Sequence, residues 1–160
     1  GLLLIEVALP WPCPNEVYEA RMAEATEAMQ ADGIGHVVFG DLFLEDIRAY
    51  REERMAEAGM TAIFPLWGRD TARLAREMIS VGLEAHLVTV DPTRLDASFA
   101  GRRFDAALLD DLPKGVDPCG ENGEFHTAVT AGPMFSAPIE ARPGEVVTRD
   151  GFVYADLVLT

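Results

Sequence analysis

Ile34-Gly35-His36-Val37-Val38-Phe39-Gly40-Asp41 is the stretch that decides the fold. Its short apolar run, rich in β-branched residues and closed by Gly40, reads as a buried strand over Ile34–Phe39. Downstream, Gly40-Asp41 makes a turn, and Asp41 is placed to cap a helix running to about Ala58, with Gly59 as its stop. Thr61–Phe64 is then a further strand, followed by Pro65-Leu66-Trp67-Gly68. A helix from about Thr71 to Val81 carries Leu74 and Met78 on one face and closes at Gly82. Leu83–Val90 follows as a strand interrupted by His86. Upstream, Asn15 is placed to cap a helix through about Ala31, ended near Gly33. Before it, Pro10, Pro12 and Pro14 force an extended loop, and the apolar run Leu2–Val7 reads as a first buried parallel strand. Strand and helix alternate throughout, which argues for an α/β fold with a parallel sheet covered by helices.

The pattern changes after about residue 91. Short helices are expected over 92–113, clearest at Phe104–Leu109. Val146–Thr148 and Phe152–Leu159 flank Asp150-Gly151, a two-residue hairpin signal. The reading is therefore an α/β region, 1–91, and a C-terminal α+β region, 92–160, that contains an antiparallel hairpin.

Composition narrows the function classes. Asp and Glu number 27 against 13 Lys and Arg, a net charge of −14, so the general field of the chain repels nucleic acid. No apolar run approaches the ~20 residues of a membrane span. Lys114 is the only lysine, and no glycine-rich lysine loop for phosphate is present. Cys13 and Cys119 are too isolated for a disulfide framework and read as reduced thiols of a cytoplasmic protein.

The densest chemistry lies in Asp117-Pro118-Cys119-Gly120-Glu121-Asn122-Gly123-Glu124-Phe125-His126-Thr127. Acids, a thiol, an amide, an imidazole and a hydroxyl stand here with two glycines that permit positive φ. A strand is expected over Phe125–Thr130. Its period of two points Glu124 and His126 to one face, and Phe125 and Val129 to the core. A carboxylate and an imidazole on one face suit acid/base work or a metal. Elsewhere, ligands of open α/β sheets bind beyond the carboxyl ends of strands. That rule selects Trp11–Asn15, Gly40–Asp46 and Leu66–Arg69. Asp41, Glu45 and Asp46 serve there either as helix-start acids or as ligands. Trp67 reads as core or rim with base stacking as the alternative, and His36 as a satisfied core histidine. Arg51 and Arg54 are expected to pair within their helix. Arg102 and Arg103 read as a solvated helix start or an anion grip.

Four segments, Pro10-Trp11-Pro12-Cys13, Phe39-Gly40-Asp41 with Leu44-Glu45-Asp46-Ile47-Arg48, Phe64-Pro65-Leu66-Trp67-Gly68 and 117–127, together resemble the diphthine–ammonia ligase family of PP-loop ATP-binding domains. The resemblance implies a Rossmann-like (adenine nucleotide alpha-hydrolase-like) sheet, truncated at the N-terminus because the match begins partway into the family's domain. Region 1–91 would be the partial nucleotide-binding domain and 92–160 the substrate-binding region. It implies ATP with Mg2+, adenylation of a carboxylate, and displacement of AMP by ammonia. Glu121, Gly123 and Glu124 fall in the family's acidic-glycine signature, and Asp41, with Gly40, Glu45 and Asp46, at the nucleotide crevice. The diphthamide branch typically has Glu-Gly-Gly-Glu-Phe-Glu. Asn122 and His126 depart from it and resemble the bacterial branch, for which cobalamin-related amide chemistry has been suggested.

On this reading Glu124 or His126 positions or deprotonates the amine. Glu121 and Asn122 hold substrate, with Asp117, Cys119, Gly120, Gly123 and Thr127 around them, and no residue is assigned to a metal. The rival readings are a non-catalytic nucleotide- or partner-binding module, and a zinc hydrolase built on Cys119 and His126. An exposed sheet edge would favour a homodimer.

Overall fold

The structure, a computed structural model, describes residues 3–160. The chain forms two compact units, Gly1–Trp67 and Gly68–Thr160. It mixes α and β, with a two-stranded parallel sheet and a four-stranded antiparallel one.

In the first unit, Asn15 does not cap α1 (Asn15–Ala31) but begins it: Pro14 holds the cap position without a side-chain bond, and the Asn15 amide donates to Glu19 at 2.9 Å. β1 (His36–Val38) pairs parallel with β2 (Thr61–Ile63), and α2 (Glu45–Glu57) is the crossover between them. The expected alternation is met here, with strands of three residues each. Leu42 and Met60 are the buried apolar side chains of the described part of this unit. A groove of about 700 Å³ runs along α1 and α2, lined by Met22, Met29, Val37, Phe39, Tyr50 and Met55 among others.

Three further expectations for this unit are corrected. Residues 3–7 form no strand, and Leu3 and Leu4 are exposed; Leu2 lies outside the described residues. An apolar run becomes a strand only where a neighbour completes its ladder, and residues 3–7 pair with neither β1 nor β2. Asp41 does not cap α2: Leu44 holds that position without a side-chain cap bond, because Leu42 is buried and Asp41 is drawn to Arg51. His36 is exposed rather than in a core, since it points away from the face that Val37 gives to the groove.

In the second unit, α3 (Thr71–Ser80) is capped by Asp70, whose carboxylate accepts the Arg73 N–H at 2.7 Å. Its Leu74 and Ala75 are buried, with Met78 and Ile79 packed beside them. β3 (Glu84–Val90), β4 (Phe125–Ala131), β5 (Ala141–Arg149) and β6 (Phe152–Leu159) form a sheet in the order β4-β3-β6-β5. The short α4 (Ala106–Asp111) is capped by Asp105. Ala85, Leu87 and Val90 of β3, Val153 of β6, Phe125 of β4, Phe99, Phe104 and Leu108 make one core with α3. At Asp150 and Gly151, φ is 50° and 85°, the left-handed pair that a tight hairpin between β5 and β6 requires.

β3 is not a parallel strand: both its neighbours run antiparallel to it. Its alternating burial already favours a half-buried strand. Its direction relative to the sheet is set by partners more than thirty residues away, which no local pattern announces. Val129, expected in the core, is 37% exposed, because β4 lies at the edge of the sheet.

Candidate functional site

The loop between α4 and β4 is wound around two buried carboxylates. Asp117 is 8% exposed and Glu124 3%. The Asp117 carboxylate accepts the N–H groups of Cys119 and Glu121, each at 3.0 Å. The Glu124 carboxylate accepts the Asp117 N–H on Oε1 and the Asn122 N–H on Oε2, both at 3.0 Å. The Asn122 side-chain amide adds a further bond to Oε1 at 3.0 Å. Two backbone turns, Gly120 N–H to the Asp117 carbonyl and Gly123 N–H to the Gly120 carbonyl, complete the winding. Residues 117–124 of the loop are thus bonded to one another from end to end.

The two glycines differ in why they are there. Gly120 has φ +70°, and a Cβ on it would stand 2.8 Å from the Phe125 carbonyl oxygen, so both conformation and space demand glycine. Gly123 has φ +82° with open space around it, so conformation alone does.

Burial by itself would raise the Glu124 pKa. The N–H donors of Asp117, Asn122 and Glu124 itself outweigh it, and the carboxyl is held below its ordinary value. Glu124 is thus an ion consumed by its own loop. His126 is exposed on β4, opposite Thr89 of β3, while Glu124 is turned inward ahead of the strand. The expected common face of Glu124 and His126 is not formed, because the last loop residue has not yet entered the pleat. Thr127 is exposed at the mouth of a small cavity of about 90 Å³ lined also by Met78, Cys119, Phe125 and Val129.

Cys119 donates its S–H to the Thr71 carbonyl at 3.4 Å. Burial first, then the charges of Asp117 and Glu121, push the thiol up to about 12. It is a neutral packing group at physiological pH, not a thiolate. Among the described residues no three His, Cys, Asp or Glu side chains converge to hold a metal.

The structure brings Asp117, Cys119, Gly120, Glu121, Asn122, Gly123 and Glu124 into this one loop. Gly40, Asp41, Glu45 and Asp46 belong to the first unit. There Asp41 pairs with Arg51 at 2.9 Å, and the Arg51 guanidinium lies 4.6 Å from the centre of the Phe39 ring. Phe39 stacks on Phe64 at 5.4 Å, and Arg48 covers both Phe64, at 5.0 Å, and Trp67, at 4.7 Å. Glu45 and Asp46 are exposed in the first turn of α2, and Gly40 is exposed beside Asp41. Arg54 pairs with Glu57 on its own helix, as expected; Arg51 reaches outside its helix. Arg102 and Arg103 bind Asp111 and Glu84, so each already has a carboxylate partner.

Asp91 was not among the sequence candidates. Its N–H donates to the Glu124 carbonyl at 3.0 Å and so ties the end of β3 to the loop. Its carboxylate accepts the Thr93 N–H and hydroxyl at 2.9 and 2.7 Å. Hydrogen bonding to the Thr93 hydroxyl first, then to its N–H, keeps the Asp91 carboxyl below the usual range. The signal was present as Asp91-Pro92-Thr93, an aspartate poised to bond two residues on.

The family model described as the diphthamide synthase C-terminal domain matches residues 70–154, which contain the whole of this loop. The chain belongs to the diphthamide synthase family. It is 28% identical over 148 residues to the diphthine–ammonia ligase of Homo sapiens, covering 88% of this chain and 53% of that protein. Identity to the diphthine–ammonia ligase of Danio rerio is 31% over 134 residues, 81% of this chain and 51% of that protein. The chain thus spans about half the length of the curated relatives it matches. Among the described residues of this family member no helix is long and apolar enough to cross a membrane.

Proposed function

We propose that this chain belongs to an ATP-dependent carbon–nitrogen ligase that adenylates a carboxylate and forms an amide when ammonia displaces AMP. The observation that carries this reading is the prebuilt 117–124 loop lying inside the segment matched to the diphthamide synthase family. Ligases gain rate by holding the acyl group and the amine in register, and a loop already bonded to itself loses little freedom when substrate arrives.

The roles divide by exposure. A general base works best with a pKa near the operating pH. Glu124, buried and held low, is unsuited to take a proton from the amine, and its task is to shape the loop. His126 is the accessible imidazole two residues on, and it positions the incoming amine or takes its proton. Glu121 and the Asn122–Gly123 backbone line the substrate side, with Thr127 at the mouth of the small cavity. Gly40, Asp41, Glu45 and Asp46 remain the nucleotide-side set of this proposal. ATP with Mg2+ remains the cofactor of this proposal.

The test is AMP release by the native protein containing this chain, supplied with ATP, ammonium and a panel of carboxylates. AMP formed only with carboxylate and ammonium both present, and reduced at least tenfold in His126→Ala, is the expected result. Absence of carboxylate-dependent AMP across the panel would remove the ligase reading.

A further inference from the structure

We propose that Asn122 is a positioning residue of this loop: its backbone N–H and side-chain amide grip opposite oxygens of the buried Glu124 carboxylate and so fix the Glu121–Gly123 turn ahead of β4. Both bonds are 3.0 Å, and both come from one residue. The Glu124 side chain must fold back over Gly123 to meet them, which the left-handed φ of +82° at Gly123 allows. Oε1 is shared between the Asn122 amide and the Asp117 N–H, so the two ends of the loop are tied through one oxygen.

The chemistry of the residue follows from its surroundings. The other ionisable groups of the loop are Asp117, Glu121 and the neutral Cys119, and Asp91 reaches Glu124 from β3 through its N–H. The named partners of the Glu124 carboxylate are N–H dipoles rather than cations. Glu124 is 3% exposed, and a buried acceptor left unpaired is costly. A neutral double donor meets this need. Glycine lacks the side-chain donor, and a carboxylate at position 122 would set a second anion against the first.

The functional consequence rests on the ligase reading, but the geometry is tested without it. In the full chain, the Glu124 carboxyl of Asn122→Gly, followed by carbon NMR through a pH titration, is expected to move up toward the ordinary carboxylate range. Amide exchange at Asp117 and Glu121 should quicken by about tenfold or more, while Leu87 and Val90 in the core stay protected. Asn122→Asp is the second variant. It should loosen the loop at neutral pH and regain wild-type exchange once the introduced carboxyl is protonated and can donate, a recovery that mere loss of packing would not show. An unchanged Glu124 titration with unchanged loop exchange in Asn122→Gly would overturn the proposal, as would Asn122→Asp exchange that exceeds wild type by the same factor at every pH. If carboxylate-dependent AMP release is found, both variants should lower kcat with little change in KM for ATP. If no AMP is released by the wild type, the ligase reading fails and the NMR result still decides the role of Asn122.

Discussion

Asp117 and Glu124 wind one loop between them: the Asp117 N–H donates to the Glu124 carboxylate at 3.0 Å, while the Asp117 carboxylate accepts the N–H groups of Cys119 and Glu121. Weakening Glu124 frees the Asp117 and Asn122 N–H groups, and weakening Asp117 frees those of Cys119 and Glu121, so both carboxylates hold the same loop.

Glu124→Gln tests the energetic side of this relationship. Its folded pKa is depressed, so the stability it supplies is present above the unfolded glutamate value of about 4.3 and is lost as pH falls through the folded value. The substitution keeps the shape but places an amide N–H against N–H donors. A loss of about 2 kcal/mol at pH 7 is expected from hydrogen bonds to a buried charge. Urea unfolding across pH should show the wild-type advantage shrinking toward acid. An advantage that is flat from pH 7 to the acid limb would count against an ionised Glu124 in the fold.

The hairpin, α3 and the location of the polar loop were legible because each is written locally. Asp150-Gly151 demands its turn, Leu74 and Met78 mark one face of α3 and Gly82 its end, and Gly120 with Gly123 mark a wound loop. What stayed hidden was set by distant partners. β3 reads as one more strand of a parallel series until β4 and β6 are placed beside it. Leu3–Val7 reads as a strand until its lack of a ladder is seen. The orientation of Glu124 was misjudged for a related reason. A period of two holds only within the pleat, and Glu124 precedes it, spending its charge on Asn122 and Asp117 instead of facing outward with His126.

Cys119 should resist alkylation. With its thiol pushed up to about 12, the thiolate fraction at pH 8 is roughly one in ten thousand. Its S–H is also engaged with the Thr71 carbonyl. Mass spectrometry after iodoacetamide at pH 8 should find Cys119 unmodified in the folded chain and modified in urea. Rapid labelling of the folded chain would mean that the loop opens readily and that its internal bonds are weak.

Gly120→Ala and Gly123→Ala form a matched pair. Both positions have left-handed φ, which costs an L-residue about 1–2 kcal/mol. Gly123 faces open space, so that conformational cost is the whole expected effect. At Gly120 the new Cβ would also stand 2.8 Å from the Phe125 carbonyl oxygen and 3.1 Å from its ring. Phe125 is buried in the core and its carbonyl is backbone, so neither can swing aside cheaply. Overpacking of this kind adds about 1–3 kcal/mol. Thermal or urea unfolding should therefore rank Gly120→Ala below Gly123→Ala by that margin. Equal stabilities would mean that the loop does not press against Phe125, and the coupling between the loop and the first residue of β4 would have to be abandoned.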